Sequence, residues 1–316
     1  MPTPSAKALP RKAFRSLRSC FHNFGALSSL APPDPALIGV ALTVPSYESS
    51  SCHAGSRKRI RDPVPGPTVR VGNVPTREVR EMTSDRLAHG KGSDVHGIFE
   101  KIAGYYDRMN FVMTLGRHAR WCREVAERVA PPTGGQLLDI ATGTGVIALE
   151  AARRYPTVTV TGVDFSEEML TRAMTKPGAD TVRWRHADAA SLPFEDESFD
   201  GITEGYLLRN VEDLVGVLRE QYRVLKPGGR IVILETCPPS GPVKPVVEWG
   251  MRTIVPLLGQ VVARDRSSYT YLESSTLTFD SPQQVADVLS GLGFQDIGWS
   301  KKFFGTNVIL WATKSR

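Results

Sequence analysis

Gln136-Leu-Leu-Asp-Ile-Ala-Thr-Gly-Thr-Gly145 carries a short apolar run straight into a glycine turn. The run Gln136 to Ile140 reads as a buried parallel strand, since strands covered on both faces lose the alternation of polar and apolar residues. The turn Thr142-Gly-Thr-Gly145 follows. Val146 to Tyr155 then has helical spacing and stops before Pro156. Strand, glycine turn and helix in that order open an α/β unit.

The alternation continues downstream. Val158 to Asp164 is the next strand, and Ser166 caps a helix with Glu167 and Glu168 in its first turn, where carboxylates favour the helix dipole. Thr181 to Ala187 and Phe199 to Leu207 are strands. Asp213 to Leu225 is a helix with Lys226-Pro-Gly-Gly229 as its stop, and Arg230 to Thr236 is the fifth strand. Ser281-Pro282 starts another helix with a cap and a proline at its first position. Phe294 to Lys301 and Phe303 to Thr313 form a closing antiparallel pair. Upstream, Ile98 to Ala103 and Asn110 to Val129 have helical spacing, joined by Gly104 to Asn110 and closed by Pro131-Pro132 and Gly134-Gly135. The whole predicts a doubly wound, mostly parallel α/β sheet with an antiparallel finish. Residues 238–280 interrupt the pattern and are expected to form a lid or substrate wall.

Composition narrows the class. The 316 residues are 41% hydrophobic and 23% charged, ordinary for a globular core. No stretch approaches the roughly 18 apolar residues that span a bilayer. Cys20, Cys52, Cys122 and Cys237 are scattered without a CxxC pair, and the six histidines are dispersed, so neither a disulfide framework nor a metal centre is expected. The net charge of +6 is uneven: residues 1–81 hold 12 Lys and Arg against 5 Asp and Glu, whereas 82–316 hold 27 against 28. A basic groove for nucleic acid is therefore not expected.

Residues 1–81 are rich in Pro, Ser and Arg, lack sustained apolar periodicity and are expected to be a disordered basic extension, with the folded domain in 82–316. Three readings stay open. The acid-free start with Lys7, Arg11, Lys12, Arg15 and Arg18 resembles an organellar transit peptide. Alternatively Met82 is the true start, or the segment is a genuine basic tail.

The glycine turn lies where ligands bind in a parallel α/β sheet, outside the carboxyl ends of the strands. Taken alone, a GxG turn fits a dinucleotide or no ligand at all. Asp164 ends the second strand 19 positions after Gly145, where an acid accepts two ribose hydroxyl protons. Asp188-Ala189 follows the third strand, placed for an adenine amino group. Gly143 and Gly145 are followed by Ala148 in place of a third glycine, and no phosphate-binding Arg or Lys is near in the loop. A nucleoside without phosphate fits best: S-adenosylmethionine (SAM), held by Asp139, Thr142, Gly143, Thr144, Gly145, Asp164, Asp188 and Ala189, with no metal.

Several further segments are family-like: Phe99-Glu-Lys-Ile-Ala-Gly-Tyr-Tyr-Asp-Arg-Met-Asn110, Leu115-Gly-Arg-His-Ala-Arg-Trp121, Asp188-Ala-Ala-Ser-Leu-Pro-Phe194, Leu208-Arg-Asn-Val211, Arg223-Val-Leu-Lys-Pro-Gly-Gly229 and Tyr269-Thr-Tyr-Leu-Glu-Ser274. Over about residues 96–316 the chain resembles the UbiE/MenG quinone C-methyltransferases. The resemblance implies a seven-stranded Rossmann-like class I methyltransferase sheet with an antiparallel C-terminal strand. It also implies C-methylation of a prenylated demethylquinol in menaquinone or ubiquinone biosynthesis. Carried over by position, the family's SAM contacts fall on Thr144, Asp164, Asp188 and Ala189. Gly205 replaces a family serine, Val146 an acid and Leu207 a glycine, which puts the acceptor pocket at Thr203 to Leu208 in question. An O- or N-methyltransferase of another small molecule is the alternative.

A quinol carbon becomes nucleophilic when a ring hydroxyl ionises. Arg209 is the expected stabiliser of that oxygen, or else a structural ion pair. Asn210 would orient Arg209 or the acceptor. Asp107 would take the proton, directly or through water, or else cap a helix. Tyr271 touches the ring or belongs to the core, Glu204 faces the pocket, and His118 and His186 are structural. The acceptor's isoprenoid tail implies transient contact with a membrane surface. Val246, Trp249, Met251, Ile254 and Leu257 would provide that contact or else pack inside. A bacterial enzyme would be cytoplasmic and peripheral to the membrane; with a transit peptide it would be in the mitochondrial matrix. Oligomeric state stays open, a homodimer included.

Overall fold

A computed structural model describes residues 97, 100, 102–242, 244–258, 260 and 266–316, so the extension expected over 1–81 lies outside the described residues. A 3-10 turn (Ala103–Tyr105) leads into α1 (Tyr106–Met113), α2 (His118–Val129), β1 (Gln136–Ile140) and α3 (Val146–Arg154). Then come β2 (Thr159–Asp164), α4 (Glu167–Met174), β3 (Val182–His186) and β4 (Phe199–Gly205). A second 3-10 turn (Leu208–Asn210) precedes α5 (Leu214–Val224), β5 (Leu225–Thr236), α6 (Lys244–Leu258) and α7 (Arg266–Thr278). The chain closes with α8 (Pro282–Gly291), β6 (Phe294–Lys302) and β7 (Asn307–Lys314).

The seven strands form one sheet in the order β3-β2-β1-β4-β5-β7-β6. The first five pair in parallel, and β7 runs antiparallel to both β5 and β6. The chain reverses its direction of travel across the sheet between β1 and β4, so their carboxyl ends frame a ligand crevice. Apolar side chains bury on both faces. Ile140, Ile202, Ile231 and Ile233 meet α5 and α8 on one side, while Leu137, Val232 and Leu234 meet α2 and α3 on the other.

Helix starts follow their sequence signals. The Ser166 hydroxyl accepts from the Met169 amide at 3.2 Å, and the Asp213 carboxylate from the Gly216 amide at 2.8 Å. Ser281 and Gln284 form a capping box with Pro282 in the first turn. Two boundaries differ from expectation. The joint expected at 104–110 is largely helix, and the break falls at 114–117, where Leu115 and Gly116 take φ of 51° and 74°. Thr114 stabilises that break by accepting from the His118 amide at 3.0 Å. Lys226-Pro-Gly-Gly229 does not lie outside the strand either. β5 pairs with β4 at Leu225↔Phe199 and again at Arg230↔Gly201, so the tetrapeptide bows out of register within β5.

Candidate active site

The loop after β1 turns through left-handed backbone at Ala141, Gly143 and Gly145, with φ of 50°, 56° and 78°. Its two glycines differ in purpose. A Cβ on Gly145 would stand 2.6 Å from the Trp184 ring and 3.2 Å from Ala173, so this glycine makes room for protein rather than for ligand. At Gly143 the nearest atom to such a Cβ is the Tyr106 ring edge at 4.0 Å, so here the backbone does face free space. The Gly143 amide donates to Asp164 Oδ2 at 2.7 Å and the Ser166 amide to Oδ1 at 2.9 Å. These bonds orient the carboxylate at the end of β2 beside the loop. Burial raises its pKa, and the two amides hold it back.

Asp139 lies behind the loop. Its carboxylate accepts from Thr142 Oγ1 and Thr203 Oγ1, both at 2.6 Å, tying β1 to the loop and to β4. Burial lifts its pKa to about 6, against the opposing pull of those two hydroxyls. Asp139 and Thr142 thus shape the loop through each other, and the expected direct contact with a ligand gives way to that role. Asp188 is exposed, its Oδ1 accepting from the Ala190 amide at 2.9 Å within a tight turn that also presents Ala189. Phe165, half-exposed next to Asp164, tilts against His186 at 5.6 Å and gives the loop's open side an apolar shelf. A large apolar residue after an acid at a strand end was the available signal for it.

Thr144 and Asp107 form a clamp between the loop and α1. Thr144 Oγ1 donates to Asp107 Oδ1 at 2.6 Å, and Lys176 Nζ pairs with Oδ2 at 2.6 Å. With both oxygens engaged, Asp107 neither caps α1 nor stands as a free proton acceptor. The expectation of no cation near the loop also needs correction, because the turn just past α4 delivers Lys176 from 31 residues beyond Gly145. Its charge is met by Asp107. Tyr106, on the same helix, is half-buried, and desolvation pushes its hydroxyl up to about 12 against the pull of an Asn110 hydrogen bond and the Arg209 charge. It stays a neutral phenol.

Arg209 is buried in the 3-10 turn after β4. It forms an ion pair with Glu235, a fully buried residue near the end of β5 whose other oxygen accepts from the Arg209 amide at 3.3 Å. Its guanidinium carbon lies 5.0 Å from the centre of the Tyr206 ring. Burial opposes the charge, but the Glu235 carboxylate outweighs it and the guanidinium pKa rises. Arg209 Nε makes no hydrogen bond among the described residues. Glu235 therefore orients Arg209, a role expected of Asn210. Asn210 instead donates to the Tyr206 carbonyl at 2.7 Å and accepts from Tyr271 Oη at 3.2 Å. Tyr271 brings α7, from the interrupting segment, to the edge of the site.

Other expectations move. Glu204 does not face the crevice: it shares the Ile202 face, and Gln221 Nε2 of α5 donates to it at 2.6 Å. Tyr206 is buried, stacked on His118 at 5.8 Å and bonded to Asn307 at 3.1 Å, so Thr203, Glu204 and Tyr206 are interior links rather than open pocket wall. His118 stacks on the Tyr206 ring, and desolvation lowers its pKa to about 4. Among the described residues no group of His, Cys, Asp and Glu is arranged for a metal ion, and no helix is long and apolar enough to cross a membrane.

Residues 87–314 match the ubiE/COQ5 methyltransferase family. The chain belongs to that family. It is 47% identical over 225 residues to a ubiquinone/menaquinone biosynthesis C-methyltransferase UbiE of Desulfotalea psychrophila, covering 71% of this chain and 92% of that protein. It is 40% identical over 228 residues to a demethylmenaquinone methyltransferase of Lactiplantibacillus plantarum, covering 70% and 96%. A Thermotoga maritima SAM-dependent methyltransferase, described as a possible histamine N-methyltransferase, shares the fold with a TM-score of 0.52 at 20% identity. It covers 70% of this chain and 100% of its own. As a family member the chain is a SAM-dependent methyltransferase. The residues present suit that cofactor: an acid ends β2 and another follows β3 for hydroxyl and amino donors, Gly143 is open, and the Lys176 charge beside the loop is neutralised by Asp107.

Proposed function

We propose that this chain methylates a ring carbon of a prenylated demethylquinol, using S-adenosylmethionine held by Gly143, Thr144, Asp164, Asp188 and Ala189. The observation that carries the reading is the buried Arg209, fixed by Glu235, with Nε unpartnered beside the crevice. Relatives named for ubiquinone, menaquinone and demethylmenaquinone support the acceptor class.

When bound, the cofactor supplies an electrophilic methyl group on a positive sulfonium. The chain's task is to make a quinol carbon nucleophilic, which it does by stabilising a ring hydroxyl in its ionised form. A guanidinium is suited to this because it stays charged and offers several donors. Preorganised charge in a water-poor site is worth far more than in water. Arg209 is too weak a base to take the proton, and Asp107 is committed to Thr144 and Lys176, so the proton leaves to water at the site mouth. Asn210 and Tyr271 close the side of the pocket. The isoprenoid tail of such an acceptor resides in a bilayer, so the enzyme meets its substrate at a membrane surface.

Replacing Arg209 by Ala tests the electrostatic role. Turnover of a demethylquinol should fall about 100-fold or more, the scale of losing one preorganised donor, while calorimetry should find SAM affinity unchanged. Unchanged turnover in a folded variant would refute it. Because the substitution strands Glu235, the thermal midpoint is measured alongside, and Arg209→Ala with Glu235→Gln keeps the test valid if the single variant unfolds.

A further inference from the structure

The outward side of α6 is apolar and uncovered among the described residues. Val246, Trp249, Ile254 and Leu257 are 67%, 65%, 50% and 59% exposed. At 3.6 residues per turn they fall within an arc of about 140°. Four large side chains left in water on one helix face mark a surface that meets something.

The location and charge of this face narrow what that is. α6 follows the carboxyl end of β5 and packs on α7, which reaches Asn210 through Tyr271 and β5 through Thr276 bonded to Thr236 at 3.2 Å. The α1–α2 turn and the β6–β7 turn lie at the same end of the sheet, as the Asp107–Thr144 bond and the Thr236↔Asn307 pairing require. Both expose further apolar tips: Phe111 and Leu115 on the first, Phe304 on the second. Around them stand Arg117, Arg120 and Lys301, all exposed, whereas residues 82–316 as a whole are near neutral. Apolar tips interspersed with cations match a bilayer surface carrying anionic headgroups. A second copy of the chain matches poorly, because a two-fold interface would bring the same cations together.

We propose that the outer face of α6 docks on an anionic lipid bilayer, with the α1–α2 and β6–β7 turns as flanking contacts. The proposal rests on the prenyl-lipid reading of the acceptor, since docking there brings the bilayer next to the helix pair that borders Asn210 and Arg209.

The test is flotation of the full chain with phosphatidylcholine vesicles, with and without phosphatidylglycerol, against the double variant Trp249→Ala/Ile254→Ala. The basic residues 1–81 would by themselves hold the chain to anionic vesicles, so the readout is the difference between chain and variant. The variant should bind phosphatidylglycerol vesicles about tenfold or more weakly, the scale of withdrawing large apolar side chains from a lipid interface. Its turnover of a demethylquinol lacking the prenyl tail should be unchanged, which shows that it folds. Equal vesicle binding by the two proteins would overturn the proposal. So would a dimer in light scattering that the variant converts to monomer without loss of vesicle binding. Because flotation uses no acceptor, its failure is distinct from a failure of the methylation reading, which the turnover assay addresses separately.

Discussion

Gly143 and Gly145 are two positions apart and share left-handed backbone, yet they serve different partners. Gly145 clears space for Trp184 and Ala173 under the loop, and Gly143 faces the crevice beneath Tyr106. Alanine at either position is strained by the positive φ at a cost of about 1 kcal/mol or more. Only Gly145→Ala adds a collision with a packed ring, so it should lower the thermal midpoint clearly more than Gly143→Ala. Gly143→Ala should instead raise the SAM dissociation constant by the larger factor in calorimetry. The glycine motif was legible in the sequence, but this division was not, because nothing local says that Trp184, 39 residues on, packs beneath Gly145. A second residue-scale prediction concerns Glu204. Burial raises its pKa to about 8, with Gln221 as its one hydrogen-bond donor among the described residues and Oε1 left unpaired. A carboxyl whose folded pKa is raised binds its proton more tightly in the folded state. Its contribution to stability is therefore present at low pH and is lost as pH climbs from about 4.5 to about 8. Asp139, raised to about 6, acts in the same direction over the lower part of that window. Glu204→Gln should flatten the fall in thermal midpoint between pH 6 and pH 8, and an unchanged pH slope would contradict the assignment.

At the scale of elements, the strands and helices after β1 followed their local signals closely. Apolar runs made parallel strands, and Ser166, Asp213 and Ser281 capped helices as short-range chemistry dictates. The exceptions came where tertiary pairing overrides the local code. Lys226 to Gly229 does stop α5, which ends at Val224, yet β4 pairs on both sides of the tetrapeptide and draws it into β5. Likewise 104–110 looks like a joint because its apolar spacing is weak, but α1 forms there and is held to the loop by Asp107, Thr144 and Lys176. That clamp carries an element-scale prediction. Lys176→Met removes the charge on one side of a partly exposed pair, which is worth less than about 1 kcal/mol. Loosening α1 over the loop should therefore raise the SAM dissociation constant about threefold to fivefold and leave the acceptor KM unchanged. A shift in acceptor KM alone would place α1 at the other substrate instead. The same distance problem hid Glu235, whose partner Arg209 is 26 residues away across a helix.

At the scale of the whole molecule, one end of the sheet gathers everything the chemistry needs. The carboxyl ends of β1, β2 and β3 carry the residues proposed to hold the cofactor, and the turn after β4 together with β5 carries Arg209 and Glu235. α1 closes one side through Asp107, α7 the other through Tyr271, and the apolar face of α6 lies beyond. The parallel strands and their antiparallel finish could be read from the chain because each strand is a short apolar run between turn signals, and the acids expected to meet the cofactor lie at the end of β2 and just past β3. The substrate-side links could not, because Arg209–Glu235 and Asn210–Tyr271 join segments that only the fold brings together. The central claim is that this arrangement transfers a methyl group to carbon on a prenylated demethylquinol. The most direct measurement is mass spectrometry of the quinol after incubating the purified chain with methyl-deuterated SAM and a reduced demethylmenaquinone. The account predicts a labelled methyl on a ring carbon, absent with Arg209→Ala. Label on oxygen, or an unlabelled quinol from a chain that still binds SAM, would contradict it.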